Sequence, residues 1–421
     1  MDARNLSFAQ ERETSQHSAI DRSVFGMHLE VPVPESDPGS PVTPLRNLRF
    51  GFGSWRWWDT GTTWRMIEPR KGSFTFALMD KLMRVAEENN LEVVLTLGQP
   101  PNWATGGRKG TGSNPGNAYN NLPPLNMADW RNYVKTVALR YKGKIKYYEV
   151  WNEPNLKEFF GGSAGQLVDL TREARTVLLA VDPGIKLLGP AVTTHSGYPF
   201  LEEFLRLQGG RYIDIISLHY YEHPSPPEAH IAVTRKYRDL MKRYGMGDTP
   251  IWNTEAGWRH WHYKGRYYSG DQNNKLVMPD DLASSYIFRL YMTNIVAGIA
   301  RTYFYGVDSW WNKLRLIDVE NNRPNLLTGA GRAMQRTVSW LTGAVVENFT
   351  RTTEGIYFVS LKKAGKPCLI AWTDDDAYIP LRLPADMRSG RFTTVLGTVS
   401  TPKDNYVFDK MPVLIELPER K

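Results

Sequence analysis

The chain has 421 residues, 41% of them hydrophobic and 23% charged, with one cysteine, a formal net charge of +8 and no apolar run near the length of a membrane helix. This composition excludes wholesale disorder, a disulfide framework and a cysteine-rich metal site. The length suits one unit larger than roughly 250 residues plus a small one, and the basic residues are too scattered to name an acidic partner.

The first thirty residues lack the apolar centre of a signal peptide. The expectation is a cytoplasmic protein, or a mature form, periplasmic or secreted, whose leader was removed. From residue 24, short apolar runs at 24–27, 48–52, 92–97, 145–151, 185–190, 213–218, 250–254 and 300–305 alternate with stretches of helical length. The latter include 77–89, 127–141, 165–181, 230–244 and 281–297, with a last one at 329–341. Eight strand-helix alternations fit an α/β fold of the (β/α)8 TIM-barrel type, although an open doubly wound sheet has the same local pattern. After residue 343 the runs shorten and turn residues separate them, which predicts a small C-terminal antiparallel β-sandwich. The expected division is a segment 1–21 packing on the β-domain, a barrel 22–342 and a β-sandwich 343–421. Cys368 lies in one of the late strand-like runs and reads as a small packed hydrophobe.

In a parallel barrel, reacting groups come from the carboxyl ends of the strands. The fourth run ends Trp151-Asn152-Glu153-Pro154-Asn155 and the seventh ends Trp252-Asn253-Thr254-Glu255. Two carboxylates at two strand ends suit glycoside hydrolysis, in which one acid protonates the leaving oxygen and one carboxylate attacks the sugar carbon. Either Glu alone would read as an ordinary loop carboxylate. Strict alternation along a strand aims Asn152 and Glu153 at opposite faces, so both reach one site only if the strand bulges or ends there. Glu149 shares the inward face with Trp151 and Glu153, and is expected in a buried ion pair. His219 and Tyr221 share a face after the sixth run.

Trp151-Asn152-Glu153-Pro154-Asn155, with Glu255 closing the seventh strand, resembles the clan A retaining glycoside hydrolases, and within them family 39. The stretch from Arg56-Trp57-Trp58-Asp59-Thr60-Gly61 through Trp64 and Glu68-Pro69 is similar to that family's second strand and loop. The looser likeness inside the family is to PslG-type enzymes that process bacterial exopolysaccharide in biofilms. The resemblance implies Glu153 as acid and then base, Glu255 as nucleophile, Arg56 as the cation that keeps the nucleophile ionised, and Tyr221 as hydrogen-bond partner of Glu255 with His219 beside it. Asn152 is expected to donate to the sugar 2-hydroxyl. Of the two carboxyls, Glu153 should have the higher pKa.

Fourteen tryptophans exceed the usual share, and Trp57, Trp58, Trp64, Trp103, Trp258, Trp261, Trp310 and Trp311 fall at or after strand ends. About half are expected to be stacking platforms for sugars, with Trp103, Trp258 and Trp310 chosen as binding residues. The loops 99–124 and 259–279 look long, and the second interleaves basic and aromatic residues, as suits a cleft for a long or acidic polysaccharide, or simply a solvated loop. His260 and His262 lack a third ligand at a known spacing, so neither metal nor cofactor is expected. Nucleic-acid binding has no module behind it. The expected function is endo-cleavage of a polysaccharide by a monomeric retaining β-glycosidase. The alternatives are an exo-acting β-xylosidase or uronidase-like enzyme, and a carbohydrate-binding protein with vestigial catalysis.

Overall fold

The computed structural model describes residues 8–9, 18–28, 50–58, 60–108, 121–222, 224–258, 261–263, 266–268, 278–307, 314–318, 323–385 and 387–417. Eight parallel strands form a closed barrel in chain order: β1 (Phe25–Met27), β2 (Ser54–Trp57), β3 (Glu92–Leu97), β4 (Tyr147–Val150), β5 (Lys186–Thr193), β6 (Ile215–Tyr220), β7 (Ile251–Ala256) and β8 (Ile299–Phe304). The pairing of β8 with β1, Thr302↔Phe25 through Phe304↔Met27, closes the barrel and rules out the open sheet. Outside it lie α1 (Ala77–Glu88), α2 (Met127–Arg140), α3 (Ala164–Val181), α4 (Tyr198–Arg206), α5 (Ala229–Arg243), α6 (Asp280–Val296) and α7 (Gly329–Leu341).

The inside of the barrel is layered. Val94, Tyr147, Leu188, Ile215, Trp252 and Tyr303 form one buried cluster at its amino-terminal end. Gly26 belongs to this layer for want of room, since a Cβ there would lie 2.4 Å from the Tyr303 ring. Toward the carboxyl end the inward residues become polar, and they build the site described below.

The second strand begins later than the sequence predicts, at Ser54 rather than within 48–52. Phe50 and Phe52 are buried, but Gly51 takes φ 82° between them, and Gly53 presses so closely on the Arg22 backbone that a Cβ would sit 2.4 Å from it. The chain therefore passes over the start of β1 before entering the sheet. Ser54–Trp57 lacks an alternating pattern because both faces of a parallel barrel strand are buried.

The C-terminal strands are β9 (Ala344–Thr352), β10 (Ile356–Lys363), β11 (Lys366–Thr373), β12 (Ile379–Arg382), β13 (Arg391–Thr394), β14 (Val399–Ser400), β15 (Asn405–Phe408) and β16 (Val413–Glu416). A seven-stranded antiparallel sheet runs in the order Phe8–Ala9, β9, β10, β11, β16, β13, β14, with Phe8 opposite Thr352. The two-stranded sheet β12–β15 covers part of one face, packing through Phe358, Phe392 and Phe408, so the sandwich has unequal layers. The other face meets α6, which is buried from Leu282 to Val296. There Arg289 pairs with Glu228 and Asp375, both at 2.6 Å, and Trp372 Nε1 donates to Glu228 at 2.7 Å. No helix among the described residues is long and apolar enough to cross a membrane.

Candidate active site

Both carboxylates reach the site through departures from regular strand geometry. β4 ends at Val150, and Trp151 (φ 69°) and Glu153 (φ 43°) take left-handed backbone angles. Such angles cost a non-glycine residue about 1 kcal/mol or more each. The Trp151 amide still bonds Leu97 O at 2.8 Å and that of Glu153 bonds Ala191 O at 3.1 Å. These bonds hold the turn between β3 and β5 and let Asn152 and Glu153 face the same space.

On β7 the device is a bulge. Leu218 pairs with Asn253 and His219 with Glu255, leaving Thr254 as an extra residue. Parity from Trp252, which faces inward, would otherwise send Glu255 outward toward the helices. The bulge returns it to the inward face shared by His219.

The groups that converge are nearly dry. Arg56, Glu149 and His219 are fully buried, and Glu153 and Glu255 are each 7% exposed. Arg56 Nε donates to Glu149 Oε2 at 2.7 Å, Nη2 to Asn152 Oδ1 at 2.8 Å, and Nη1 to Glu255 Oε2 at 3.1 Å. Tyr221 OH donates to Glu255 Oε1 at 2.7 Å. His219 Nδ1 lies 3.0 Å from Glu153 Oε1 and 3.6 Å from Glu255 Oε2. One carboxylate oxygen of Glu153 and one of Glu255 come within 4.8 Å of each other.

Burial pushes the Glu255 carboxyl up to about 7, and repulsion from Glu153 adds to the rise while His219, Arg56 and Tyr221 oppose it. Burial likewise brings His219 down to about 4, so it is neutral at pH 7. Two carboxyls this close share a proton near neutrality. Glu255 accepts from a guanidinium and a phenol, both of which favour its anion against the rise from burial. Glu153, His219 and Glu255 also have the spacing of a cation site. The donors aimed at their oxygens and the Arg56 charge 3.1 Å from Glu255 disfavour a metal there.

The structure thus gathers Arg56, Asn152, Glu153, His219, Tyr221 and Glu255. It does not gather the tryptophans. Trp57, Trp58, Trp64 and Trp258 are at most 4% exposed, so they are core and not platforms. Trp64 stacks on Tyr133 at 4.8 Å, and Trp258 lies parallel to His230 and bonds Ser225 O. Trp103 is half-buried, in a T-shaped contact with Trp64 at 5.9 Å and with Lys71 Nζ 5.6 Å over its ring. Trp310, Trp311, the Trp261 side chain and much of the two long loops lie outside the described residues. One site residue went unread in the sequence: His28, directly after β1, is buried with Nε2 3.2 Å from Arg56 Nη1 and 3.1 Å from Thr254 O. Its position at a strand end was the available signal.

Residues 55–261 match the family model for glycosyl hydrolases family 39. A beta-xylosidase of Caldicellulosiruptor saccharolyticus is 30% identical over 184 residues, which is 42% of this chain and 36% of that protein. The chain therefore spans about a third of the length of this curated relative. Among solved structures, a family 39 glycoside hydrolase from Bacteroides cellulosilyticus WH2 has a TM-score of 0.71 at 16% identity, covering 95% of this chain and 82% of that one. A monomeric beta-xylosidase from Caulobacter crescentus CB15 has a TM-score of 0.67 at 14% identity, covering 97% and 98%. At these identities the two structures speak for the fold.

Proposed function

Because the chain belongs to glycosyl hydrolase family 39, we propose that it cleaves β-glycosidic bonds with retention of configuration, Glu255 acting as nucleophile and Glu153 as acid and then base. The observation that supports this most is the separation of the two carboxylates. Oxygens within 4.8 Å suit the retaining arrangement of about 5 to 5.5 Å and fall short of the roughly 6.5 Å an inverting enzyme needs to seat a water.

In the first step a Glu255 oxygen bonds to the anomeric carbon as the glycosidic C–O bond breaks, and the Glu153 proton passes to the leaving oxygen. In the second, Glu153 takes a proton from water, whose oxygen displaces Glu255 and restores its carboxylate. Arg56 and Tyr221 bind different oxygens of Glu255 and hold it for attack. Since Asn152 Oδ1 already accepts from Arg56, its Nδ2 is oriented to donate to the sugar 2-hydroxyl.

For the substrate we favour a polysaccharide cut internally, of the exopolysaccharide kind. The second reading is an exo-acting β-xylosidase, favoured by the match to the Caldicellulosiruptor saccharolyticus enzyme. The four buried indoles no longer support an internal cut. Digestion of long and short β-linked oligosaccharides tests the choice: a ladder of oligosaccharides supports the internal cut, and monosaccharide alone overturns it. The chemistry is tested with aryl β-glycosides, on which Glu255→Gln should lose on the order of 10⁴-fold or more in kcat. Unchanged turnover would contradict the mechanism.

A further inference from the structure

We infer that Glu149, a third carboxylate beneath the pair, is a positioning residue that fixes the aim of Arg56 and sets how much of its charge acts on Glu255. This rests on the retaining reading above.

Arg56 has three tasks, and Glu149 fixes the geometry for the other two. Its Nε and Nη2 both close on one oxygen, Glu149 Oε2, at 2.7 and 2.5 Å. That grip leaves Nη2 to reach Asn152 and Nη1 to reach Glu255. The same Glu149 oxygen accepts from Thr96 Oγ1 at 3.0 Å. Ser217, on β6, also favours the Glu149 anion through a side-chain hydrogen bond.

A carboxylate kept only for packing should not be held this way. Apolar residues of similar shape usually replace a buried ion pair at little cost. The arrangement makes sense if the charge itself has a use. His219 and His28 are both driven toward neutrality by burial, so among the described residues Arg56 is the one cation facing Glu149, Glu153 and Glu255. Burial alone would raise Glu149, but Arg56, by its charge and its hydrogen bond, outweighs it and holds Glu149 below the ordinary carboxyl range, hence ionised. A guanidinium already neutralised by Glu149 gives Glu255 less help. Burial first holds the nucleophile near 7 despite a guanidinium contact at 3.1 Å and a phenol at 2.7 Å, and a Glu149 charge on the far side of Arg56 acts in the same direction. The pair then keeps one proton up to neutrality, as acid catalysis by Glu153 requires.

The test is the pH dependence of kcat/KM on an aryl β-glycoside for two variants, with thermal melting to confirm folding. Glu149→Gln keeps an oxygen toward Arg56 and deletes the charge. Both limbs of its profile should move to lower pH by about one unit, because either carboxylate is then more easily ionised. Glu149→Asp keeps the charge but withdraws it from Arg56. Its limbs should stay within a few tenths of a unit while kcat falls about 10- to 100-fold with KM little changed. A Glu149→Gln profile that superimposes on the wild type overturns the charge role. A Glu149→Asp enzyme with wild-type kcat overturns the positioning role, and decides the matter alone if the Gln variant does not fold. Glu255→Gln run alongside separates the two levels: wild-type turnover there defeats the retaining mechanism, whereas an inactive Glu255→Gln with an unmoved Glu149→Gln profile defeats only the present inference.

Discussion

Replacing Glu153 by Gln removes the proton donor and also one of the two charges that face each other inside 4.8 Å. At that separation and an effective dielectric of about 20, the repulsion is on the order of 3 kcal/mol, or roughly two pH units. The sign follows from the direction of the shift. The Glu255 pKa is raised to about 7 by burial and by Glu153, so its anion becomes available only as pH climbs toward that value. Glu153 still carries its proton while Glu255 ionises, so Glu153→Gln should leave the acid limb within about half a pH unit of the wild type; the repulsion acts on the second proton, that of Glu153, once Glu255 is charged. The alkaline limb, where the pair loses its last proton, should vanish. Loss of general acid catalysis should cost about 10²- to 10⁴-fold in kcat/KM on a substrate with a poor leaving group, equivalent to roughly 3 to 5 kcal/mol. A dinitrophenyl glycoside, which needs little protonation, should lose far less in the first step, and azide should restore turnover by replacing the activated water. The assay is chromophore release from both substrates across pH 4 to about 9, with and without azide. Equal losses on the two substrates, or an alkaline limb that survives in the variant, would refute the assignment of Glu153.

Tyr221→Phe removes the donor 2.7 Å from Glu255 Oε1, so the acid limb should rise by about one pH unit and kcat should fall about 10- to 100-fold; an unmoved limb in the kcat/KM profile speaks against the contact. Arg289→Ala strands Glu228 at the junction of barrel and β-sheet, and should cost about 3 to 5 kcal/mol in chemical denaturation; a loss under about 1 kcal/mol would mean that the junction does not depend on the ion pair. Gly26→Ala forces a methyl into the Tyr303 ring and should destabilise by about 1 to 3 kcal/mol, with a wild-type melting curve as the contrary result. In Trp258→Phe the indole lost is a buried one, so the melting temperature should fall while KM for short oligosaccharides stays within about twofold, and a selective rise in KM would restore Trp258 to the binding surface.

What was legible in the sequence was local. Strand-helix alternation survives because each barrel strand is a short apolar run and each helix has an apolar stripe, and the carboxyl end of a strand is where a reacting Glu belongs. Glu153 and Glu255 were singled out that way, and the resemblance carried by Trp151-Asn152-Glu153-Pro154-Asn155 raised them above ordinary loop carboxylates. The means by which they face each other were not, because no side-chain pattern announces left-handed angles at Trp151 and Glu153 or the extra residue Thr254 in β7. The tryptophans misled for a related reason. On a parallel barrel both faces of a strand are buried, so Trp57 at a strand end packs against Trp55 of its own strand, and Trp258 just beyond a strand packs on His230 of a helix that sequence adjacency does not reveal. His28 was passed over because the strand before it is only three residues long, and its importance comes from Arg56 and Thr254, far along the chain.

The central claim is a covalent bond between the sugar and Glu255. It is tested most directly by inactivating the protein with a 2-deoxy-2-fluoro-β-glycosyl fluoride of a sugar it turns over, and mapping the label by peptide mass spectrometry. The fluorine slows both steps and the fluoride leaving group spares the first, so the intermediate should accumulate. One sugar per chain is expected, attached to the peptide carrying Glu255 and absent from Glu255→Gln. A label on Glu153, or inactivation without any covalent adduct, would contradict the account.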